Sequence, residues 1–210
     1  MIFLQKIIFC VKMLSQEQGS MALMLARDAI SSQLFKRSLR ISSVTKEKLN
    51  KKYPVFVTLT KDTQLRGAMG FNDSIYPVYE GVIKSSINSA FSDPRFPPLD
   101  KREFDMVSIT VSVMTQPTLI EVRNPEDYIN IIKIGTDGIM IISTFTSSIL
   151  FPKTAIENNW SVEEFLIEGC RSANLHPDSW LDFDACRVYR FQSQDFSEKK
   201  NSSTQKVITK

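Results

Sequence analysis

The sequence predicts an α+β or mixed α/β fold rather than a doubly wound parallel sheet. Three observations lead there. Helical and strand patterns interleave irregularly along the chain. Val107, Ile109, Val111 and Val113 alternate with polar residues, the period of a half-exposed antiparallel strand. Gly138 opens GIMIIS, a short continuous apolar run typical of a buried strand.

Each element follows from local chemistry. Ser15 with Gln18 forms a capping-box signature, and Leu23, Ala26, Ile30 and Leu34 then share a helical face. Pro54 punctuates, VFVTL (55–59) is a strand, Lys61 and Asp62 turn the chain, and 65–70 returns as a second strand. Val78, Val82, Ser86 and Ala90 fall at helical spacing within 76–91, with Gly81 a flaw. DPRFPPL (93–99) cannot be helical at its prolines and must be an ordered loop. A strand over 104–115 ends at Pro117, and 119–122 extends it. Residues 125–131 form a short helix with Pro125 in its first turn. A short helix is placed over 152–158, and the capping box Ser161–Glu164 starts a helix over 161–173. Strand character returns at Val188, Tyr189 and Phe191.

The chain has 210 residues, 42% hydrophobic and 23% charged, so it can bury a substantial core. No apolar run reaches the ~18 residues of a membrane span. Residues 1–14 are apolar, but Lys6 and Lys12 interrupt them in the wrong order for a signal peptide. They read as an extension with some strand character, and Met13 or Met21 offers an alternative start. The tail 197–210 lacks core-forming residues and is expected to be mobile. The default compartment is then the cytoplasm, where Cys10, Cys170 and Cys186 would be reduced thiols. Three scattered cysteines exclude a disulfide scaffold, one histidine excludes the usual zinc and iron ligand sets, and no cofactor is expected.

Charge is uneven. Residues 1–52 hold ten basic and three acidic residues, 53–196 hold 12 and 19, and the tail holds four lysines and Glu198. The basic ends are expected to pair with the acidic middle or to be solvated. A duplex-binding face would need a stronger basic excess, so nucleic acid is an unfavoured partner. The basic first segment with Lys199, Lys200, Lys206 and Lys210 keeps it as a third reading.

LRGAMG (65–70), AFSDPRFPPL (90–99), VSVMTQP (111–117), Asp137-Gly138, WSVEEFLIEGCRSANL (160–175) and Trp180 together resemble the AMME chromosomal-region protein family, defined by an LRGCIG motif. The resemblance runs from about residue 20 to 196. It implies a larger subdomain, a mixed sheet with flanking helices built from both chain ends. It also implies a smaller α/β subdomain from the middle and a site between the two. No reaction is established for the family, which is often described as a regulatory factor. Some prokaryotic relatives pair the domain with a Memo-like domain and a radical-SAM enzyme, which implies a shared modification pathway.

Three positions depart from the family pattern. Ala68 replaces the motif cysteine, Thr110 replaces an acidic residue, and FPKTA (151–155) stands for LPQVA. Ala68 excludes a thiol or hydroxyl nucleophile at the motif.

The residues themselves leave alternatives open. Arg66, beside Gly67, Ala68 and Gly70, offers a guanidinium fork for a carboxylate or phosphate, or pairs with an internal acid while the glycines serve turn geometry. Asp93 and Arg95 sit in a stiff proline-held loop as a binding pair, or form a local Asp-capped turn with Arg95 folded back. Phe96 reads as packing. Cys170 reads as a small buried hydrophobe, His176 as a loop residue, Asp182 and Asp184 as a solvated strand start, and Trp160 and Trp180 as anchors of their helix. The leading expectation is a ligand-binding or regulatory domain that takes a small anionic ligand or a partner protein at Arg66, Gly67, Ala68, Gly70, Asp93 and Arg95. The alternative is an enzyme of unknown reaction in the radical-SAM and Memo-type modification pathway that the resemblance implies, with Asp93 or an acidic residue near it as the acid/base group.

Overall fold

The structure, a computed structural model, describes residues 12–198. The strand expected within 1–14, the thiol of Cys10 and the four tail lysines fall largely or wholly outside that range. In chain order the elements are α1 (Gln16–Leu34), α2 (Ser43–Lys48), β1 (Val55–Lys61), β2 (Gln64–Phe71), α3 (Val78–Phe91), β3 (Val107–Met114), β4 (Thr118–Leu119), α4 (Tyr128–Ile131), β5 (Gly138–Ile142), β6 (Ser147–Leu150), α5 (Pro152–Glu157), α6 (Val162–Ser172), β7 (Arg187–Phe191) and β8 (Ser193–Ser197). They form two four-stranded sheets, ordered β2-β1-β3-β8 and β4-β7-β5-β6. The chain is α+β, and β1–β2, β4–β7, β5–β6 and β5–β7 all pair antiparallel.

Contacts divide the chain into two compact units. One comprises Leu14–Phe71, Ile75–Ser112 and the chain from Asp195; the other comprises Asn72–Ser74 and Val113–Gln194, with Met13.

In the first unit the capping box is as the sequence predicts: Ser15 Oγ accepts from Gln18 N–H, and Gln18 Oε1 accepts from Ser15 N–H at 2.8 Å. The buried face of α1 differs from the predicted one. It runs through Gly19, Ala22, Leu25, Ala26, Ala29 and Ile30, while Leu23 and Leu34 are only half-buried. Small residues win this face because they let other groups approach closely; a side chain on Gly19 would strike the Phe196 ring. The basic groups also pair differently than charge counting suggests. Lys48 meets Glu17 at 2.5 Å and Arg27 meets Glu198, both partners lying outside the acidic middle. Arg27 also donates to the carbonyls of Phe104 and Val107.

The β1–β2 hairpin turns at Asp62 and Thr63, with φ of 50° and 68°. Two consecutive left-handed residues match the twist of a tight hairpin. Lys61 is therefore the last residue of β1 rather than part of the turn. Helix α3 lies on β1 and β2 and packs against α1. Two buried serines fasten it to the strands. Ser85 Oγ donates to Val55 O at 3.1 Å. Ser89 Oγ lies 2.7 Å from Val57 O and accepts from Met69 N–H at 2.8 Å. Strand β3 alternates as predicted through Val107, Ile109, Val111 and Val113, but Ser112 and Met114 are buried too. Its second half is thus covered on both faces.

The second unit centres on α6 over β5. Ser161 and Glu164 make the predicted reciprocal cap. Phe165, Leu166, Gly169 and Cys170 are its buried face. Phe165 and Leu166 have no exposed surface, and each contributes about 2 kcal/mol through burial. Trp160 and Trp180 join the same core, which confirms their anchoring role.

The approach of α3 to β2 demands a residue without a side chain at position 67. A Cβ there would overlap the backbone carbonyl oxygen of Ser89, which cannot swing away as a side chain would. Gly67→Ala should lower stability by about 3 kcal/mol, the upper range for overpacking. The expected readout is a lower denaturant midpoint with unchanged slope.

Candidate functional site

The two motifs singled out by sequence meet in one corner of the first unit. LRGAMG is β2 itself, and DPRF is the loop that follows α3. Arg66 occupies a break in the hairpin register: Leu59 pairs with Gly67 and Thr60 with Leu65, so Arg66 has no partner residue on β1. A bulge of this kind re-aims the side chain of the extra residue. The guanidinium is buried, with the residue 8% exposed. Arg66 Nη2 donates to Glu103 Oε2 at 2.8 Å, and Nε lies 3.4 Å from Oε1. Lys61 Nζ donates to the same Glu103 Oε1 at 3.0 Å. The Arg66 guanidinium, and secondarily Lys61, hold the Glu103 carboxyl below the usual carboxylate range against the opposing effect of burial. Arg66 Nη1 is buried and has no hydrogen-bond partner among the described residues.

Asp93 is the other pole. Its side chain is only 1% exposed. Arg95 donates to it from Nε and Nη2 at 2.9 and 2.7 Å, a bidentate fork. The Ala68 N–H donates to Oδ2 at 2.8 Å and the Arg95 N–H to Oδ1 at 3.0 Å. Arg95 Nη2 also donates to Ala68 O at 3.0 Å. The outward N–H and C=O of Ala68 are thus both occupied. The Arg95 fork, followed by the amides of Ala68 and Arg95, lowers the Asp93 pKa to about 2 despite its burial. The Arg95 side chain remains 53% exposed, and its Nη1 makes no hydrogen bond among the described residues.

Phe96 links the poles. Its ring centroid lies 5.9 Å from the Arg66 guanidinium carbon and 5.6 Å from that of Arg95. The ring is half-buried and carries a cation–π role beyond packing alone. Arg66, Ala68, Asp93, Arg95 and Phe96 are therefore brought together. Gly67 and Gly70 serve close packing, Gly70 against the Phe56 ring. Both internal pairings considered from sequence are present: Arg66 meets an internal acid, and Arg95 folds back on Asp93.

Glu103 and Lys61 were missed by sequence reasoning. The signal for Glu103 was Asp100, whose Oδ1 accepts from the N–H groups of Arg102 and Glu103 at 2.8 and 2.9 Å and fixes the loop that presents it. Lys61 carried no signal, because its role depends on the register of a hairpin.

The other sequence candidates resolve simply. Cys170 is fully buried, and the Cys186 thiol beside it, together with burial, pushes its pKa up, so it stays a neutral packing group. His176 is exposed and accepts from Asp178 N–H at 3.3 Å, capping a turn. Asp182 accepts from Asp184 N–H at 2.8 Å in another turn. Among the described residues no group of three or more His, Cys, Asp or Glu side chains could hold a metal ion, and no helix is long and apolar enough to cross a membrane.

Comparison with known proteins bears on the whole of this arrangement. An uncharacterized protein from Pyrococcus horikoshii, PH0010, has a crystal structure similar to this one, with a TM-score of 0.83 at 41% identity over 89% of this chain and 94% of that one. The chain is 38% identical over 186 residues to a protein of Methanothermobacter thermautotrophicus, covering 88% of this chain and 96% of the relative. It is 43% identical over 175 residues to Protein NEQ441 of Nanoarchaeum equitans, covering 83% and 97%. The model of the AMMECR1 family matches residues 23–196, across both motifs and both sheets, and the chain belongs to that family.

Proposed function

We propose that the corner built from LRGAMG and DPRF is a recognition site for an anionic group, carboxylate or phosphate, on a small ligand or a partner protein. The domain would act by binding rather than by covalent chemistry. One observation carries this reading: Arg95 is held by a buried carboxylate through Nε and Nη2 while its side chain stays 53% exposed and its Nη1 makes no hydrogen bond among the described residues. A fork fixed before binding loses little conformational entropy when an anion arrives. Lys61, Arg66 and Arg95 outnumber Asp93 and Glu103 by one charge, which favours an anion over a cation. The buried Nη1 of Arg66 adds a donor whose desolvation is uncompensated among the described residues.

The acid/base alternative for Asp93 loses ground on the same geometry. A general base works best with a pKa near the operating pH. Asp93 is held near 2 by four donors, so it stays ionised and occupied.

Two outcomes follow. Because the folded pKa of Asp93 lies below its ordinary value of 3.8, the stability it contributes is complete above about pH 4 and lost as pH falls toward 2. The stability gap between wild type and Asp93→Asn should therefore be largest at neutral pH and close over that window, as read by denaturant titration at stepped pH. Arg95→Gln should cost about 2 kcal/mol by taking the charged partner from Asp93. Added inorganic phosphate should raise the melting temperature of the wild type but not of Arg95→Gln. Equal protection of both proteins would remove the site.

A further inference from the structure

Unpaired positive charge is concentrated on one segment of the first unit. Residues 36–52 hold seven Lys and Arg residues and one acid, Glu47. Among the described residues only Lys48 of the seven makes an ion pair, and its partner Glu17 belongs to α1. Lys36, Arg37, Arg40, Lys46, Lys51 and Lys52 are exposed. Residues 1–11 and 199–210 contain Lys but no Asp or Glu, so no carboxylate side chain from them can neutralise this charge.

The segment runs back along α1, antiparallel to it. At the C-terminal end of the helix the Arg37 N–H donates to Ser32 O at 2.7 Å. Along its middle, Arg40 and Thr45 line a shared cleft with Met21, Leu25 and Asp28. At its N-terminal end Gln18 Nε2 donates to Lys48 O at 2.7 Å. The backbone that carries the cations is thus fastened at both ends and in between. Phe35 gathers one further cation at the Arg37 end. Its ring centroid lies 4.9 Å from the Arg37 guanidinium carbon and 5.3 Å from Lys101 Nζ, and Lys101 makes no ion pair among the described residues.

The result is a line of charge rather than a patch. Helix α1 has 19 residues and is about 28 Å long. Seven cations over that length is about one per 4 Å, close to the ~3.4 Å per charge along a nucleic-acid strand. Asp28 and Glu47 oppose them, and neither closes an ion pair among the described residues.

We propose that this line binds the phosphodiester backbone of a single-stranded nucleic acid. One row of cations fits one row of phosphates, whereas a duplex presents two rows and a membrane presents a plane of headgroups. An extended peptide, rising ~3.3 Å per residue, would need an acid at nearly every position to match the spacing. Phosphate contacts carry no base information, so binding is independent of sequence. The line uses none of the residues of the LRGAMG and DPRF corner, so either reading can fail without the other.

The test is fluorescence anisotropy of a labelled oligo(U) of about 20 nucleotides, titrated with the full chain. With about five phosphates engaged, affinity should fall about 100-fold between 50 and 200 mM salt. Arg40 and Lys46 make no ion pair or side-chain hydrogen bond among the described residues, so replacing them should leave the melting temperature unchanged. Arg40→Gln with Lys46→Gln should lower the logarithmic salt slope by about 1.4. Arg40→Glu with Lys46→Glu should weaken binding more than ~10-fold. The tail lysines stay intact in both variants, so binding carried by the tail would survive them. Phosphatidylserine vesicles and a polyglutamate peptide, at equal charge, should compete at least ~10-fold less well than unlabelled oligo(U). No binding at 50 mM salt, an affinity that ignores salt, variants that bind like the wild type, or better competition by vesicles or peptide overturns the proposal.

Discussion

The Asp93 carboxylate is the contact on which the corner of the first unit depends. It is almost fully withdrawn from water and receives hydrogen bonds from the Ala68 amide and from three donors of Arg95. A buried charge is costly unless its lone pairs are filled, and here they are filled from two separate segments. The loop after α3 is thereby tied to the middle of β2. Ser89, one turn earlier on α3, ties the helix to β1 and β2 through Val57 and Met69. Gly67 supplies the space that lets these bonds reach their lengths.

Local signals in the sequence were read well. Both capping boxes, the alternation of β3 and the proline-held loop at 93–99 all depend on neighbours within a few residues. The face of α1 was misjudged because residue size, rather than hydrophobicity, decides which side approaches its neighbours. Strand β6 was not anticipated, since TSSIL is short and polar at its start and is a strand only because β5 offers a partner. The short helix α2, capped by Ser42, was likewise unmarked by any apolar face.

The candidate site divides along the same line. The convergence of LRGAMG and DPRF could be anticipated from the chemistry of each motif, and both arginines do reach one aromatic ring. The bulge at Arg66 could not be, because register is a property of two strands and a turn together. That bulge lets Arg66 meet Glu103 from an extra position in β2, and Arg66 is the more deeply enclosed of the two arginines.

The occupied amide and carbonyl of Ala68 have a consequence for the life of the sheet. An outer strand normally frays, because water competes for its free backbone and other chains can add to it. Here the loop that follows α3 takes the place of a neighbouring strand at Ala68, with a carboxylate on its amide and a guanidinium on its carbonyl. Hydrogen–deuterium exchange at Ala68 should be slow, as in a central strand. At that position the border of the first sheet is shielded from amyloid-like growth by side chains rather than by another strand.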